Sequence, residues 1–258
     1  MRCGCSPDHP LYAPVPFTSP DLSWIASLAL LNQYDYDSLT FIPAYSPCVS
    51  AMKVEPLRYN SAAEPFDYHY LWQAIRPLLP VQQTYKRILD VGCGNGFWAN
   101  RFAEIGYEVV GIDPSETGVE QAREAYPGIR FEVMEIGTDI CRQLGVDRFD
   151  VVVSLEVVEH LYLPRQWAAG CFAACRPGGR LICSTPYHGY LKNLVVSLAN
   201  RWDHHFSPLW DGGHIKFWSR ATLTELLLGA GFQKHGLIFR GAGRLPLMWM
   251  AMVLSIRR

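Results

Sequence analysis

The chain has 258 residues, of which 49% are hydrophobic, and its 23 basic and 24 acidic side chains leave a formal net charge of -1. Such a chain can bury a sizeable core, and its Lys and Arg are scattered rather than gathered into a run, which excludes the footprint of a polyanion binder; nucleic acid is not an expected partner. The eight cysteines, at 3, 5, 48, 93, 141, 171, 175 and 183, form no paired C-x-x-C set suited to zinc, and Cys171 and Cys175 fall in an apolar helix-like stretch, so they read as reduced buried thiols of a cytoplasmic protein.

Residues 1–60 read as a proline-rich N-terminal extension, with prolines at 7, 10, 14, 16, 20, 43 and 47 and aromatics between them, a poor pattern for a core element. The stretch LSWIASLALL (22–31) follows Pro20 and Asp21 instead of a basic region, so it is not read as a secretory signal. EPFDYHYLWQAIRPLL (64–79) has helical spacing broken by Pro77 and Pro80 and predicts one helix ahead of the core.

From there strand and helix alternate. RILDV (87–91), EVVGID (108–113), IRFEVM (129–134) and FDVVVSLEV (149–157) read as strands, with helices over 97–105, 116–125 and 164–175, and RPGG leads into a strand at RLICST (180–185). This rhythm predicts a parallel sheet with crossover helices on both faces, and the unbroken Val/Ile/Leu runs fit strands covered on both sides. Residues 186–218, rich in aromatics, His and Gly, break the rhythm and read as a lid or acceptor segment. SRATLTELLLGAGF (219–232) reads as a helix with a Ser cap and a glycine stop, and 235–241 and 247–256 as an antiparallel hairpin at the sheet edge. LPLMWMAMVLSI (245–256) falls short of the about 20 apolar residues of a membrane span and reads as a buried strand, with peripheral membrane contact as the lesser alternative.

The glycines of RILDVGCGNGFW need a separate reason. Gly92, Gly94 and Gly96 close the first strand and open the next helix, at the carboxyl end of the sheet where ligands of open α/β folds bind. About 20 residues beyond Gly94, Asp113 ends the second strand, where an acid can accept both hydroxyls of a ribose. A ribose-containing cofactor is expected. A dinucleotide fingerprint would place a further glycine at 97, which is Phe97.

The spacing Asp90-x-Gly92-x-Gly94-x-Gly96 resembles the first motif of class I S-adenosylmethionine-dependent methyltransferases, and the resemblance continues through GIDPS, FDVVVSLEVVEHL and RPGGRLICSTP, over residues 85–186. It implies a Rossmann-like, doubly wound α/β fold with a mostly parallel seven-stranded sheet and an antiparallel C-terminal hairpin, spanning residues 61–258. S-adenosylmethionine would be the cofactor. Asp90 would organise the loop around the methionine ammonium, Gly92 to Gly96 would pass close to its amino-acid part, and Asp113 would hold the ribose. Met134 and Glu135 would flank the adenine, and Leu155 would pack beside the cofactor. Read without the resemblance, Asp113 can be a turn residue before Pro114, and Glu135 and Leu155 can be purely structural.

Beyond the fourth strand, SLEVVEHL supplies Glu156, Glu159 and His160, which would share a face if this were a first helical turn. His214, in GGHIKFWS, lies on the segment expected to cover that end of the sheet. Two Glu and two His suit a divalent ion that lowers the pKa of an acceptor hydroxyl; His160 or His214 acting directly as base, and a structural role, are the alternatives. The arrangement is similar to that of the ubiquinone-pathway O-methyltransferases, which implies O-methylation of a small quinol- or phenol-like acceptor. N- or C-methylation, or cofactor binding without catalysis, stay open. His204 and His205, being adjacent, read as surface or lid residues, while Tyr187, His188, Tyr190, Trp210, Phe217 and Trp218 are candidates to line an acceptor pocket.

Overall fold

The structure, a computed structural model, describes residues 69–80, 87–206, 208–210 and 212–258. The expectations for residues 1–60, including the stretch 22–31 and Cys3, Cys5 and Cys48, lie outside the described residues, as does the start of the 64–79 helix. Helix α1 (His69–Ile75) buries Leu71, Ala74 and Ile75 and passes into a single 3-10 turn, Arg76–Leu78, whose start tolerates the missing N–H of Pro77.

The elements that follow are β1 (Arg87–Val91), α2 (Phe97–Glu104), β2 (Glu108–Asp113), α3 (Glu116–Ala125), β3 (Arg130–Val133), α4 (Ile140–Leu144), β4 (Phe149–Leu155), α5 (Pro164–Ala174), β5 (Cys175–Pro186), α6 (Tyr190–Leu198), α7 (Trp202–Phe206), α8 (Arg220–Gly229), β6 (Gln233–Ala242) and β7 (Ala251–Arg257). Helix starts are set by local chemistry: the Ser115 hydroxyl accepts from the Gly118 N–H, Pro164 opens α5, and Ser219 with Thr222 forms a capping box.

The seven strands form one sheet in the order β3-β2-β1-β4-β5-β7-β6. The first five are parallel, whereas β7 runs antiparallel to both of its neighbours. The expected antiparallel C-terminal pair is present, with β7 inserted between β5 and β6 so that β6 forms the edge. Burial explains the order. Ala251 to Ile256 are all buried and need cover on both faces, whereas β6 is mostly exposed along its length and suits an edge.

Alternation within the apolar strands divides the core in two. Leu89, Val152, Leu181, Cys183 and Leu254 point into one cluster with Trp167 and Leu227; Ile88, Val151, Val153, Ile182 and Val253 point into the other with Leu71 and Phe102. Both faces are covered, as the continuous runs predict. Two local readings change. RPGG is not a connection but part of β5: Cys175 pairs with Phe149 and Arg180 with Val151, so the stretch between them bulges. The fourth strand stops at Leu155 rather than 157, because Glu156 adopts a left-handed φ of 54° that leaves the extended region.

A hydrogen-bonded chain crosses the centre of the fold. The indole Nε1 of Trp167 on α5 donates to Ser154 Oγ (3.1 Å), which donates to the Val91 carbonyl at the end of β1 (2.9 Å). Both side chains are buried. Trp167→Phe removes the donor while keeping most of the ring, and is expected to lower the unfolding free energy by about 1–3 kcal/mol. Urea denaturation checks this, with the midpoint falling at constant slope.

Candidate functional site

The loop after β1 requires its glycines. Gly92, Gly94 and Gly96 have φ of 77°, 51° and 80°. A Cβ on Gly92 would lie 2.4 Å from Val157 Cγ2, and one on Gly96 would lie 2.8 Å from Ala122 Cβ, so a side chain there meets both backbone strain and a neighbour. The N–H groups of Gly92 and Cys93 donate to the Ile112 carbonyl at 2.8 and 3.0 Å, holding the loop against the end of β2.

Asp113 completes that attachment. One carboxylate oxygen accepts from the Gly94 N–H and the other from the Ser115 N–H, both at 2.8 Å. Burial pushes its carboxyl up and these two donors pull it back. A carboxylate has about four acceptor directions, so two remain for a ligand's hydroxyls. Asp90 is 1% exposed and its Oδ2 has no hydrogen-bond partner. Burial, then the charge of Asp113, pushes it up to about 7. An unpartnered buried carboxylate beside an open backbone cradle fits a ligand ammonium, which supports the methionine end of the expected cofactor. Met134 donates its N–H to the Asp113 carbonyl (3.0 Å) and packs on the core, Glu135 is exposed at the rim, and Leu155 is buried. The loop, Asp113 and Met134 are therefore joined by hydrogen bonds. Ser115 and Val157, which hold Asp113 and Gly92, were not singled out by the sequence; the Ser after Asp-Pro is the signal for the first, and the second had none.

The expected helical turn after β4 is instead the left-handed Glu156 followed by a 3-10 turn, Val158–His160. Ser184 stabilises Glu156: its hydroxyl donates to Glu156 Oε1 at 2.7 Å, and its carbonyl accepts the Glu156 N–H at 3.2 Å. The structure brings Glu159, His160 and His214 together, each offering a ligand atom within 4.8 Å of the others, and Glu156 is not one of this group. His160 Nε2 and His214 Nε2 each lie 4.0 Å from Glu159 Oε1.

The electrostatics of the group are unusual. Glu159 is 0% exposed and neither carboxylate oxygen has a hydrogen-bond partner. Burial, and then the neighbouring Glu156, pushes it well above the usual carboxylate range, while burial lifts Glu156 to about 7 against the Ser184 hydrogen bond. Burial, then His160, holds His214 down at about 4. His160 Nδ1 faces the Gly212 and Gly213 carbonyls at 2.8 and 3.2 Å. Carbonyls only accept, so Nδ1 carries a proton, and Nε2 is the nitrogen turned toward Glu159.

The acceptor candidates separate. Trp210 packs edge-on against His160 and His214 at 5.6 and 5.4 Å. His188 stacks on Phe206 and meets Phe217 edge-on. Tyr190, the first residue of α6, is 84% exposed. Tyr187 packs against Trp249, and the Trp218 indole donates to the Val158 carbonyl. His204 is exposed, as expected, and His205 only partly so. A hollow of about 580 Å³ lined by Val146, Asp147, Arg148 and Arg176 lies by the amino end of β4, opposite to the glycine loop.

A family model described as a methyltransferase domain matches residues 64–236. Over 158 residues the chain is 33% identical to a probable S-adenosylmethionine-dependent methyltransferase of Mycolicibacterium smegmatis, covering 60% of this chain and 56% of that one. Over 168 residues it is 29% identical to the ubiquinone biosynthesis O-methyltransferase of Cereibacter sphaeroides, covering 63% of this chain and 66% of that one. The chain therefore matches less than two thirds of the length of either relative. Among solved structures, an S-adenosylmethionine-dependent methyltransferase from Mesorhizobium loti superposes with a TM-score of 0.55 at 22% identity, covering 73% of this chain and 98% of that one. Magnesium protoporphyrin IX methyltransferase from Synechocystis, solved with bound SAH, gives 0.52 at 19%, covering 74% and 81%. These two likenesses show the fold. With the family model spanning well over half of the chain, over a sheet of this order and a loop of this geometry, the chain belongs to the methyltransferase-domain family of S-adenosylmethionine-dependent proteins.

Proposed function

We propose that this protein transfers the methyl group of S-adenosylmethionine to a hydroxyl oxygen of a small quinol- or phenol-like acceptor. The observation that carries the reading is the Glu159, His160 and His214 cluster, which follows directly on Val157, the residue packed against Gly92 of the cofactor loop. The sulfonium needs no further activation, so the protein must orient the acceptor and take its proton. On this reading Asp90 meets the methionine ammonium, Gly92 to Gly96 pass along the amino-acid part, and Asp113 uses its free acceptor directions on the ribose. Met134 and Glu135 flank the adenine, and Leu155 packs beside it.

The hydroxyl proton passes to an imidazole nitrogen, at His160 Nε2 or on His214, each of which lies beside Glu159. The same donor set fits a divalent ion: a buried carboxylate with both oxygens unpartnered, and a His whose other nitrogen is fixed by backbone carbonyls. Such an ion, when bound, would lower the pKa of the acceptor hydroxyl. Glu156 would support it from behind Glu159.

Residues 61–258 would form the methyltransferase domain, with 186–218 selecting the acceptor and 1–60 as an extension. The five free thiols among the described residues, four of them buried, support a reducing, cytoplasmic setting. No helix of the described residues is long and apolar enough to cross a membrane. The exposed Leu245, Leu247 and Met250 support peripheral membrane contact as a secondary reading.

Two measurements test this. An ammonium ligand favours ionised Asp90, so below pH 7 binding must expel a proton; affinity for S-adenosylmethionine is expected to rise up to about tenfold per pH unit until pH 7 and then level off. Calorimetry across that range on wild type and Asp90→Asn checks it, and a wild-type profile as flat as the variant's would refute the assignment. For the chemistry, His214→Ala is expected to lower kcat/KM for a catechol acceptor by about 10²- to 10⁴-fold with S-adenosylhomocysteine affinity unchanged. Loss of turnover in chelator would assign deprotonation to a bound ion, and full turnover would assign it to the imidazole alone.

A further inference from the structure

Helix α6 is amphipathic in the wrong sense for a soluble surface. Of its nine residues, YLKNLVVSL, only Lys192 is buried, while Tyr190, Leu191, Leu194, Val195 and Leu198 are exposed. A surface helix normally does the reverse, and a lysine normally stretches its stem to keep its ammonium in water. Here the helix's one charged residue is 8% exposed. Burying an ammonium without a paired anion is costly. Among the described residues no carboxylate makes an ion pair with Lys192. The acid that acts on it is Glu156, which is already engaged by the Ser184 hydroxyl, and Arg244 on the β6–β7 connection adds a second positive charge facing it.

A second group points into the same recess. His188 lies four residues before Lys192, just ahead of the helix, is 8% exposed, and its Nε2 is buried without a hydrogen-bond partner. Its ring lies 5.6 Å from Phe206 and 5.2 Å from Phe217, whose own ring centroids are 4.9 Å apart. The recess adjoins the proposed catalytic cluster, since His188 lies within electrostatic reach of both Lys192 and His214. Burial pulls Lys192 down to about 8 and His188 to about 4, so at neutral pH the recess holds two cations, Lys192 and Arg244, and a neutral imidazole.

We propose that this recess is the specificity site for the acceptor and binds a carboxylate carried on its aromatic ring, with Lys192 and Arg244 supplying positive charge, His188 donating from Nε2, and Phe206 and Phe217 packing against the ring. The acceptor is then a hydroxylated aryl carboxylate whose hydroxyl faces His214. Only the fate of that hydroxyl rests on the O-methylation reading; the anion site does not.

The test uses binding, which is independent of turnover. The full chain, saturated with S-adenosylhomocysteine, is titrated by calorimetry with 3,4-dihydroxybenzoate and with catechol, which differ by the carboxylate alone. Wild type is expected to bind the acid at least about tenfold more tightly. Lys192→Met should bring the acid to the affinity of catechol, Lys192→Arg should keep part of the preference, and S-adenosylhomocysteine affinity reports that each variant is folded. Arg244→Met serves as a second variant and should also narrow the gap. Equal affinities in wild type, or a preference that survives in both methionine variants, would overturn the proposal. If the preference behaves as expected but neither compound is methylated, the anion site stands and the O-methylation reading falls.

Discussion

Two carboxylates at the same end of the sheet are both deeply buried, yet Asp113 receives a backbone N–H on each oxygen and Glu159 receives none on either. A buried carboxylate without donors must hold a proton or face a cation, and the chain around Glu159 is arranged by that demand. Its own main-chain carbonyl accepts the N–H groups of Ile215 and Lys216 at 2.9 and 3.0 Å, while the next residue, His160, is fixed on the carbonyls of Gly212 and Gly213. His214 sits between those two attachments. The backbone thus delivers its imidazole to Glu159, and the acceptor segment is laced to the same turn that carries the other two members of the cluster. Asp113, already satisfied, does the opposite work: it fixes one loop to another and keeps spare acceptor capacity for a ligand.

How much of this could be read in the sequence follows from how far apart the interacting residues are. The bond between Asp113 and Gly94 closes a separation of 19 residues, inside one strand-helix-strand unit, and positive φ at three alternate positions demands glycine. Both constraints leave a local imprint, so the glycine loop and its tie to Asp113 were legible. The bond between His160 and Gly212 spans 52 residues, and nothing local marks it. The grouping of His160 with His214 was reached through chemistry and resemblance, whereas the left-handed turn that leaves Glu156 outside the three converging ligand atoms, held by Ser184 on the neighbouring strand, has no signature in EVVEHL. The insertion of β7 between β5 and β6 was unreadable for a similar reason. Two apolar runs joined by a short connection specify a hairpin but not which member faces β5; the fully buried face pattern of Ala251 to Ile256 decides it once the whole sheet is present.

Lys192 shows a different limit. Helical periodicity assumes that apolar side chains face inward, and on that assumption YLKNLVVSL would put its lysine in water. The structure inverts it, and the inversion is intelligible only beside His188, four residues earlier, and Glu156 and Arg244, which come from two other parts of the chain. Local rules miss such a charge because two of the groups around it are distant in sequence.

The two halves of the proposed site therefore rest on different physics. The cofactor half is built from backbone geometry at the ends of parallel strands, where a change of side chain meets Val157 or Ala122 and a strained φ. On the proposed reading the acceptor half is built from side chains on residues 186–218, and among the described residues this segment's main chain is held by the Met250 carbonyl at Tyr187 and by the Glu159 carbonyl at Ile215 and Lys216. Substitutions there can alter charge and shape without disturbing the glycine loop, because the bonds that hold Asp113, Gly92 and Cys93 are made within the first two strand-helix units. The proposed catalytic cluster stands at the junction, with Glu159 and His160 beside the sheet and His214 on the segment that covers it. On the proposed reading, an acceptor that contacts residues 212–216 would thus set the position of His214 relative to Glu159, and acceptor recognition and proton removal would be carried by the same short run of backbone.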